Sequence, residues 1–162
     1  MPGFFSFFFP IGIKDIIDVE GLPTRANSRS RASAPPAAND AEVVLALKAA
    51  GAIVLGKVHT TEYAYFDPSP ARNPNNLEHT PGGSSSGSAA AVAAGMAPIA
   101  IGTQTVASVN RPAAYCGIAA FKPSTRAWGI TGAGPVGSPP SCSATTTPTS
   151  AASTGRRVRA IS

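Results

Sequence analysis

Residues 81–123 read PGGSSSGSAAAVAAGMAPIAIGTQTVASVNRPAAYCGIAAFKP, and the rest of the chain is arranged around this stretch. Two glycines lead into three serines and a further glycine, and a run of small residues follows. The alanine-rich residues 88–96 predict a helix, and residues 99–104 predict a strand. A helix and strand directly after the loop argue against a plain flexible linker and are typical of an α/β unit.

A further helix is predicted upstream, at residues 40–50. Asn39 or Asp40 can cap its N-terminus, and Gly51 stands where the end of a helix favours glycine. Four apolar residues at helical spacing predict its buried face: Val43, Val44, Leu47 and Ala50.

Short apolar runs predict the strands of a sheet. Residues 52–55 directly follow the predicted helix and indicate a buried strand. Ile11 and Ile13 alternate ahead of Lys14 in another strand, and residues 118–121 predict one more. The predicted fold class is therefore α/β, with a mixed β-sheet flanked by helices.

Composition divides the chain near residue 134. Hydrophobic residues make up 43% of the 162 residues, which is enough for the core of one domain. Residues 135–162 hold almost no large apolar side chains and cannot offset the entropy lost on ordering. We therefore predict one domain at residues 1–134 and a basic, disordered tail at residues 135–162. The abrupt change also suggests a frame shift near Ala133, which translation of the other two frames would test.

The net charge of +5 is unevenly distributed and does not predict nucleic-acid binding. All eight acidic residues lie between Asp15 and Glu78. Nucleic-acid-binding elements combine basic and aromatic residues on one surface. The tail arginines Arg156, Arg157 and Arg159 lack such aromatic neighbours, so no nucleic-acid partner is predicted.

Three further classes of protein are not predicted: disulfide-stabilised proteins, metalloproteins, and proteins with an N-terminal signal peptide or membrane span. Cys116 and Cys142 lie in unlike surroundings, so we predict no disulfide framework and a reduced, cytoplasmic setting. His59 and His79 have no neighbours at metal-ligand spacing, which predicts no metal site. Residues 1–10 lack both the basic region of a signal peptide and the length of a membrane span.

Three polar side chains in this framework can carry chemistry. Ser84 and Ser108 each stand among small residues that let a substrate approach the backbone. Lys14 stands in an otherwise apolar strand, and an ammonium group held away from water loses part of its preference for the charged form. A neutral lysine can accept the proton of a serine hydroxyl. From the residues alone, a solvated lysine is the more common case, because a lone lysine that flanks a strand usually faces water.

The order of these motifs resembles the amidase signature family of serine hydrolases. The resemblance rests on IGIKD at residues 11–15, on DVEGLPT at residues 18–24 and on the glycine-serine loop with its Arg-Pro pair. It runs from about residue 11 to residue 132. It implies a partial amidase signature fold, a cis peptide bond before the first loop serine, and no metal or other cofactor.

The resemblance also implies a catalytic Ser-Ser-Lys set. Ser108 would be the nucleophile, Ser84 the proton bridge and Lys14 the base. The substrate would be a small-molecule carboxamide, hydrolysed through an acyl-enzyme to a carboxylate and ammonia or an amine. The implied loop residues are the N–H groups from Thr105 to Ser108, which include Val106 and Ala107 and would face the oxyanion, with Ser85 and Arg111 as supporting residues.

Two departures from the family pattern leave a second interpretation open. Where the family has two glycines before the nucleophile, this chain has Val106 and Ala107, and a β-branched residue suits positive φ poorly. Family members are also much longer, so the C-terminal half of the family fold is expected to be missing. The alternative is a catalytically inactive remnant that folds partly, or only with a partner.

Two other types of site fit the sequence less well. A P-loop requires Gly-Lys-Ser/Thr after four variable residues, whereas Gly87 is followed by Ser88 and Ala89. A Ser-His-Asp hydrolase would use His59 or His79. No Gly-x-Ser-x-Gly elbow precedes partners in a suitable order for that chemistry.

Overall fold

The computed structural model describes residues 8–122 and 149–153. The strands in this part of the chain are β1 (Phe9–Lys14), β2 (Ala52–Val58), β3 (Ile99–Thr103), β4 (Ala119–Phe121) and β5 (Thr149–Ser153). The α-helices are α1 (Glu42–Ala49), α2 (Ser86–Ala93) and α3 (Asn110–Cys116). Short 3-10 turns occur at Arg29–Arg31 and Glu62–Ala64. No helix in the described ranges is long and apolar enough to cross a membrane.

The strands form one mixed sheet in the order β2-β1-β3-β5-β4, which confirms the predicted fold class. β1 pairs in parallel with both β2 and β3, whereas β5 is antiparallel to β3 and β4. Parallel neighbours require crossover connections, and α1 and α2 lie in those connections. The carboxyl ends of β1 and β3 therefore meet at one edge of the sheet, where Lys14 and Thr103 are the last strand residues.

The core lies along β1, whose last four residues are all buried. Ile11 and Ile13 are fully buried and form a cluster with Ile16, Val44 and Ile101. β1 can be buried on both faces because it has a strand on each side and helices packed over the sheet.

The small residues of α2 are explained by close packing. Most of the helix is buried against β3 and the chain after β2. A Cβ atom at Gly87 would lie 2.2 Å from the backbone nitrogen of His59. Glycine at position 87 is therefore a steric requirement at this contact.

The predicted cap of α1 is wrong. Ala41 is the N-cap residue and provides no side-chain hydrogen bond. Asp40 instead accepts a hydrogen bond from the Glu20 N–H at 2.8 Å and pairs with Lys48 at 2.6 Å. Ala50 is exposed rather than on the buried face. Gly51 follows the helix with a φ of 96°, as predicted for its C-terminal position.

The tail differs from its prediction at one segment. Thr149–Ser153 forms β5 between β3 and β4, although it was predicted to be disordered. Strand pairing satisfies backbone groups and does not require large apolar side chains, so a composition poor in such side chains does not exclude a strand. The remaining residues of the predicted tail, 135–148 and 154–162, lie outside the described part of the chain.

Candidate active site

Lys14 ends β1 in a position with no solvent exposure. Its Nζ donates to Ser84 Oγ at 2.7 Å and to Thr103 Oγ1 at 2.8 Å. Burial lowers the pKa of the Lys14 ammonium group well below its ordinary value of 10.5, because the charged form loses its hydration. This environment favours a neutral amine beside a serine hydroxyl.

Ser84 is anchored by the chain that follows β2. The Gly83–Ser84 peptide bond is cis, as the resemblance implied. The Ser84 carbonyl accepts hydrogen bonds from the Thr61 N–H at 3.0 Å and from Thr60 Oγ1 at 3.2 Å. A Cβ at Gly83 would lie 2.7 Å from Thr61 Cγ2, so a larger residue would push this contact apart.

Ser85 connects the glycine-serine loop to the two segments that flank it. Its Oγ donates to the Thr103 carbonyl at 3.2 Å and accepts from the Thr103 N–H at 3.3 Å. Its N–H donates to the Ser108 carbonyl at 3.0 Å. In a helix, the N–H of residue 112 would donate to the carbonyl of residue 108. Pro112 has no N–H, which leaves the Ser108 carbonyl available to Ser85. Ser85 therefore holds the backbone of Ser108 beside that of Ser84.

Ser108 lies in the loop between β3 and α3. It is partly buried and lines the same cleft as Ser84. Within the described ranges, the hydroxyl of Ser108 makes no hydrogen bond. Side-chain hydrogen bonds thus join Lys14 directly to Ser84 and Thr103. Ser108 is connected to this group through its backbone carbonyl, which accepts from the Ser85 N–H.

The side chain of Gln104 shapes this loop. Its Oε1 accepts hydrogen bonds from the N–H groups of Val109 and Asn110, each at 2.8 Å. This contact caps the start of α3 from outside the helix, because the first N–H groups of a helix have no partner within it. The loop between β3 and α3 is consequently held by the hydrogen bonds of Gln104 and by that between Ser85 and Ser108.

Four backbone N–H groups of the loop, from Thr105 to Ser108, donate no hydrogen bond within residues 8–122. Val106 is 86% exposed. In the described ranges, positive φ at residues other than glycine occurs only at Ala26, Asn27, Tyr63 and Ala64. Val106 and Ala107 therefore adopt ordinary backbone angles, and the expected conflict with positive φ does not arise.

The cleft has a volume of about 800 Å³ and opens beside both serines. Arg72 and Arg111 line it, and no carboxylate of the described residues does. The side chain of Arg111 is exposed and has no hydrogen-bond or ion-pair partner in the described part of the chain. Arg111 thus faces the cleft rather than supporting the loop through its guanidinium group.

The other cavity and the other reactive side chains of the described residues fit a catalytic site less well. A second cavity of about 720 Å³ contains the Asp15–Lys57 ion pair and neither serine. His59 and His79 belong to no group of three or more possible ligands within these ranges. Cys116 is buried, which raises the pKa of its thiol to about 11 and makes it a poor nucleophile.

Sequence reasoning missed Thr103 and Gln104. Both belong to the Thr-Gln-Thr run at the end of the predicted β3. The signal that could have found them was the parallel arrangement of β1 and β3, which brings polar residues at their carboxyl ends to one edge. Thr60 and Thr61 were also missed, because a loop conformation cannot be read from composition.

The family model for amidases matches residues 8–146. The chain belongs to the amidase family. This match covers most of the sequence and extends past the predicted domain boundary at residue 134.

Among curated members of the amidase family, the chain is 50% identical over 121 residues to the A subunit of the glutamyl-tRNA(Gln) amidotransferase of Roseiflexus castenholzii. That alignment covers 71% of this chain and 24% of the relative. AtzE, which is part of the 1-carboxybiuret hydrolase of Pseudomonas sp., is 41% identical, with 71% and 26% covered. The chain therefore spans about a quarter of the length of these relatives.

Solved amidase structures share the fold of the described part. The native peptide amidase from Stenotrophomonas maltophilia superposes with a TM-score of 0.66 at 40% identity, and 72% of this chain and 26% of that chain are covered. The A subunit of the glutamyl-tRNA(Gln) amidotransferase from Thermotoga maritima also gives 0.66, at 42% identity, with 72% and 27% covered. The structure is thus part of an amidase fold.

Proposed function

We propose that this chain carries the Ser-Ser-Lys machinery of an amidase that hydrolyses carboxamides. The observation that carries the proposal is the 2.7 Å contact between Lys14 Nζ and Ser84 Oγ in a fully buried position. A base without hydration beside a serine, with a second serine in the same cleft, is suited to proton removal from a nucleophile.

The proposed reaction begins when Ser108 Oγ attacks the carbonyl carbon of the amide. The Ser108 proton passes to Ser84 Oγ, whose own proton passes to neutral Lys14. The free N–H groups of the 105–108 loop stabilise the oxyanion. Protonated Lys14 returns a proton through Ser84 to the leaving nitrogen as the C–N bond breaks. Water then attacks the acyl-enzyme by the same relay and releases the carboxylate.

The names of the relatives support chemistry at C–N bonds. They are a peptide amidase, a component of a 1-carboxybiuret hydrolase and a component of an amidotransferase. Two of these proteins are subunits, which supports a partner chain for this protein. A small-molecule amide substrate and a cytoplasmic setting belong to the same proposal.

The test is labelling of the purified full chain with a fluorophosphonate, followed by mass spectrometry of the adduct. We expect labelling at Ser108 that disappears in Ser108→Ala and in Lys14→Ala. Ser69→Ala and Lys57→Ala, which alter a serine and a lysine outside the cleft, serve as matched controls and should label as the wild type does. A folded wild-type chain that shows no adduct at Ser108 would overturn the proposal.

A catalytically inactive remnant is the second candidate. It is favoured by the span of about a quarter of the relatives' length and by the Ser108 hydroxyl, which has no hydrogen bond in the described ranges. This interpretation predicts no adduct at Ser108, and a chain that circular dichroism shows to be partly folded or to fold only with a partner. Hydrolysis of any carboxamide that requires Ser108 would exclude it.

A further inference from the structure

Tyr65 and Phe66 are adjacent exposed aromatic residues that line the cleft beside Ser84. Tyr65 and Phe66 are 74% and 81% exposed. Their ring centroids lie 4.8 Å apart at an interplanar angle of 71°, which is an edge-to-face pair. Both rings line the cavity that contains Ser84 and Ser108. Ligand pockets are lined predominantly by apolar and aromatic side chains.

The backbone that presents these rings is tied to Ser84. The Thr61 N–H donates to the Ser84 carbonyl at 3.0 Å, and Thr61 Oγ1 donates to the Tyr65 carbonyl at 2.7 Å. One residue therefore holds both the serine and the aromatic pair. The backbone that carries the rings is therefore tied to the proposed reaction centre.

The turn itself is held in an unusual conformation. Tyr63 and Ala64 have φ values of 48° and 60°, a region that residues other than glycine seldom occupy. The Tyr65 N–H donates to the Glu62 carbonyl at 2.8 Å, and the Glu62 N–H donates to the Asp67 carbonyl at 3.1 Å. Such backbone angles persist where surrounding contacts determine them, and they are common at ligand-binding sites.

We propose that Tyr65 and Phe66 determine specificity in this cleft by binding the aryl group of an aromatic carboxamide. The inference rests on the proposed function for the carboxamide half of the ligand. A ring pair in edge-to-face geometry presents both a face and an edge. A third ring can pack against either of them in the same edge-to-face geometry. A cavity of about 800 Å³ is large enough for a single-ring amide.

The test is a ligand-observed NMR titration of the full chain with three amides: benzamide, cyclohexanecarboxamide and acetamide. It is made on the wild type and on Ser108→Ala, which binds without turnover. We expect benzamide to bind roughly tenfold more tightly than acetamide, and more tightly than the saturated ring of similar size. Tyr65→Ala and Phe66→Ala should each weaken benzamide binding by roughly threefold to tenfold.

Phe121→Ala is the matched control, because Phe121 is 62% exposed but lies on β4 outside the cleft lining. It should bind benzamide as the wild type does, and circular dichroism should show that all variants fold. Phe66→Leu keeps apolar area without the ring and should also weaken binding.

The inference is overturned if benzamide fails to bind or binds no more tightly than either comparison amide. It is also overturned if folded Tyr65→Ala and Phe66→Ala bind as the wild type does. Benzamide binding that depends on both rings, in a chain without a fluorophosphonate adduct, would support the aromatic site and reject the hydrolytic function.

Discussion

Burial of Lys14 has an energetic penalty in addition to its proposed catalytic role. Its ammonium group is buried with no carboxylate partner in the described ranges, so the folded state disfavours the proton that the unfolded chain retains. Between the lowered folded pKa and the ordinary 10.5, the unfolded state binds more protons. The wild-type free energy of unfolding should therefore rise as pH increases through this window.

Lys14→Met removes the titrating group and therefore this pH dependence of stability. As pH rises from 7 to 10, we expect the wild type to become more stable relative to Lys14→Met. The relative free energy of unfolding should increase by up to about 1.4 kcal/mol per pH unit. Urea unfolding at several pH values measures it. Lys48→Met is the control and should not reproduce the slope, because Lys48 is an exposed lysine that pairs with the Asp40 carboxylate. A pH-independent difference would show that burial leaves the pKa of Lys14 unchanged.

At the residue scale, the sequence predicted groups that belong to motifs and missed those defined by geometry. Lys14, Ser84 and Ser108 stand in runs with a chemical signature. Thr103 and Gln104 acquire their roles from the register of β3 beside β1 and from the path of the loop after it. Those features follow from tertiary packing rather than from local sequence.

α2 depends on one close approach between backbones. Gly87 packs against His59, and its N–H donates to the His59 carbonyl at 2.8 Å. Helix propensity alone would favour alanine over glycine by about 1 kcal/mol. A Cβ at position 87 would overlap backbone atoms, which cannot rotate away as a flexible side chain can.

We therefore expect Gly87→Ala to destabilise the protein by at least about 3 kcal/mol, despite its better propensity. Thermal or urea unfolding provides the measurement. Ala93→Gly, in the same helix, should cost only about 1 kcal/mol. An unchanged or raised stability in Gly87→Ala would contradict the close approach between α2 and the chain after β2.

At the element scale, local sequence predicted α1, α2 and the strands β1 to β4, whereas α3 and β5 were missed. Pro112 in the Arg-Pro pair interrupts a helix when it is read locally, yet proline is tolerated in a first turn. The cap of α1 was predicted wrongly because Asp40 has a more distant partner, the backbone of Glu20. Local rules cannot weigh such long-range contacts.

The whole molecule exposes apolar surface on the strand at one end of the sheet. Ile53 and Leu55 lie on one face of β2 and are 50% and 56% exposed. In the described part of the chain, β2 pairs only with β1, so one side of its backbone is free. An open apolar edge strand favours pairing between chains.

Leu55→Lys should reduce self-association, because a charge on an edge strand opposes strand pairing. Its free energy of unfolding should change by only about 0.5 kcal/mol, as for most exposed sites. Sedimentation velocity over a range of protein concentrations measures the change. Leu77→Lys, an exposed leucine outside the strands, should associate as the wild type does. Equal association of all three proteins would show that β2 is not the surface involved.

The spacing of the site along the chain has a consequence for folding order. Ser85 meets Ser108 across 108 − 85 = 23 residues, whereas Lys14 meets Ser84 across 70 and Thr103 across 89. Closing a loop of 70 residues costs about 1 kcal/mol more than closing one of 23. The two serine loops can therefore dock early as a local unit. Lys14, although synthesised first, reaches its partners only when the parallel strands have assembled.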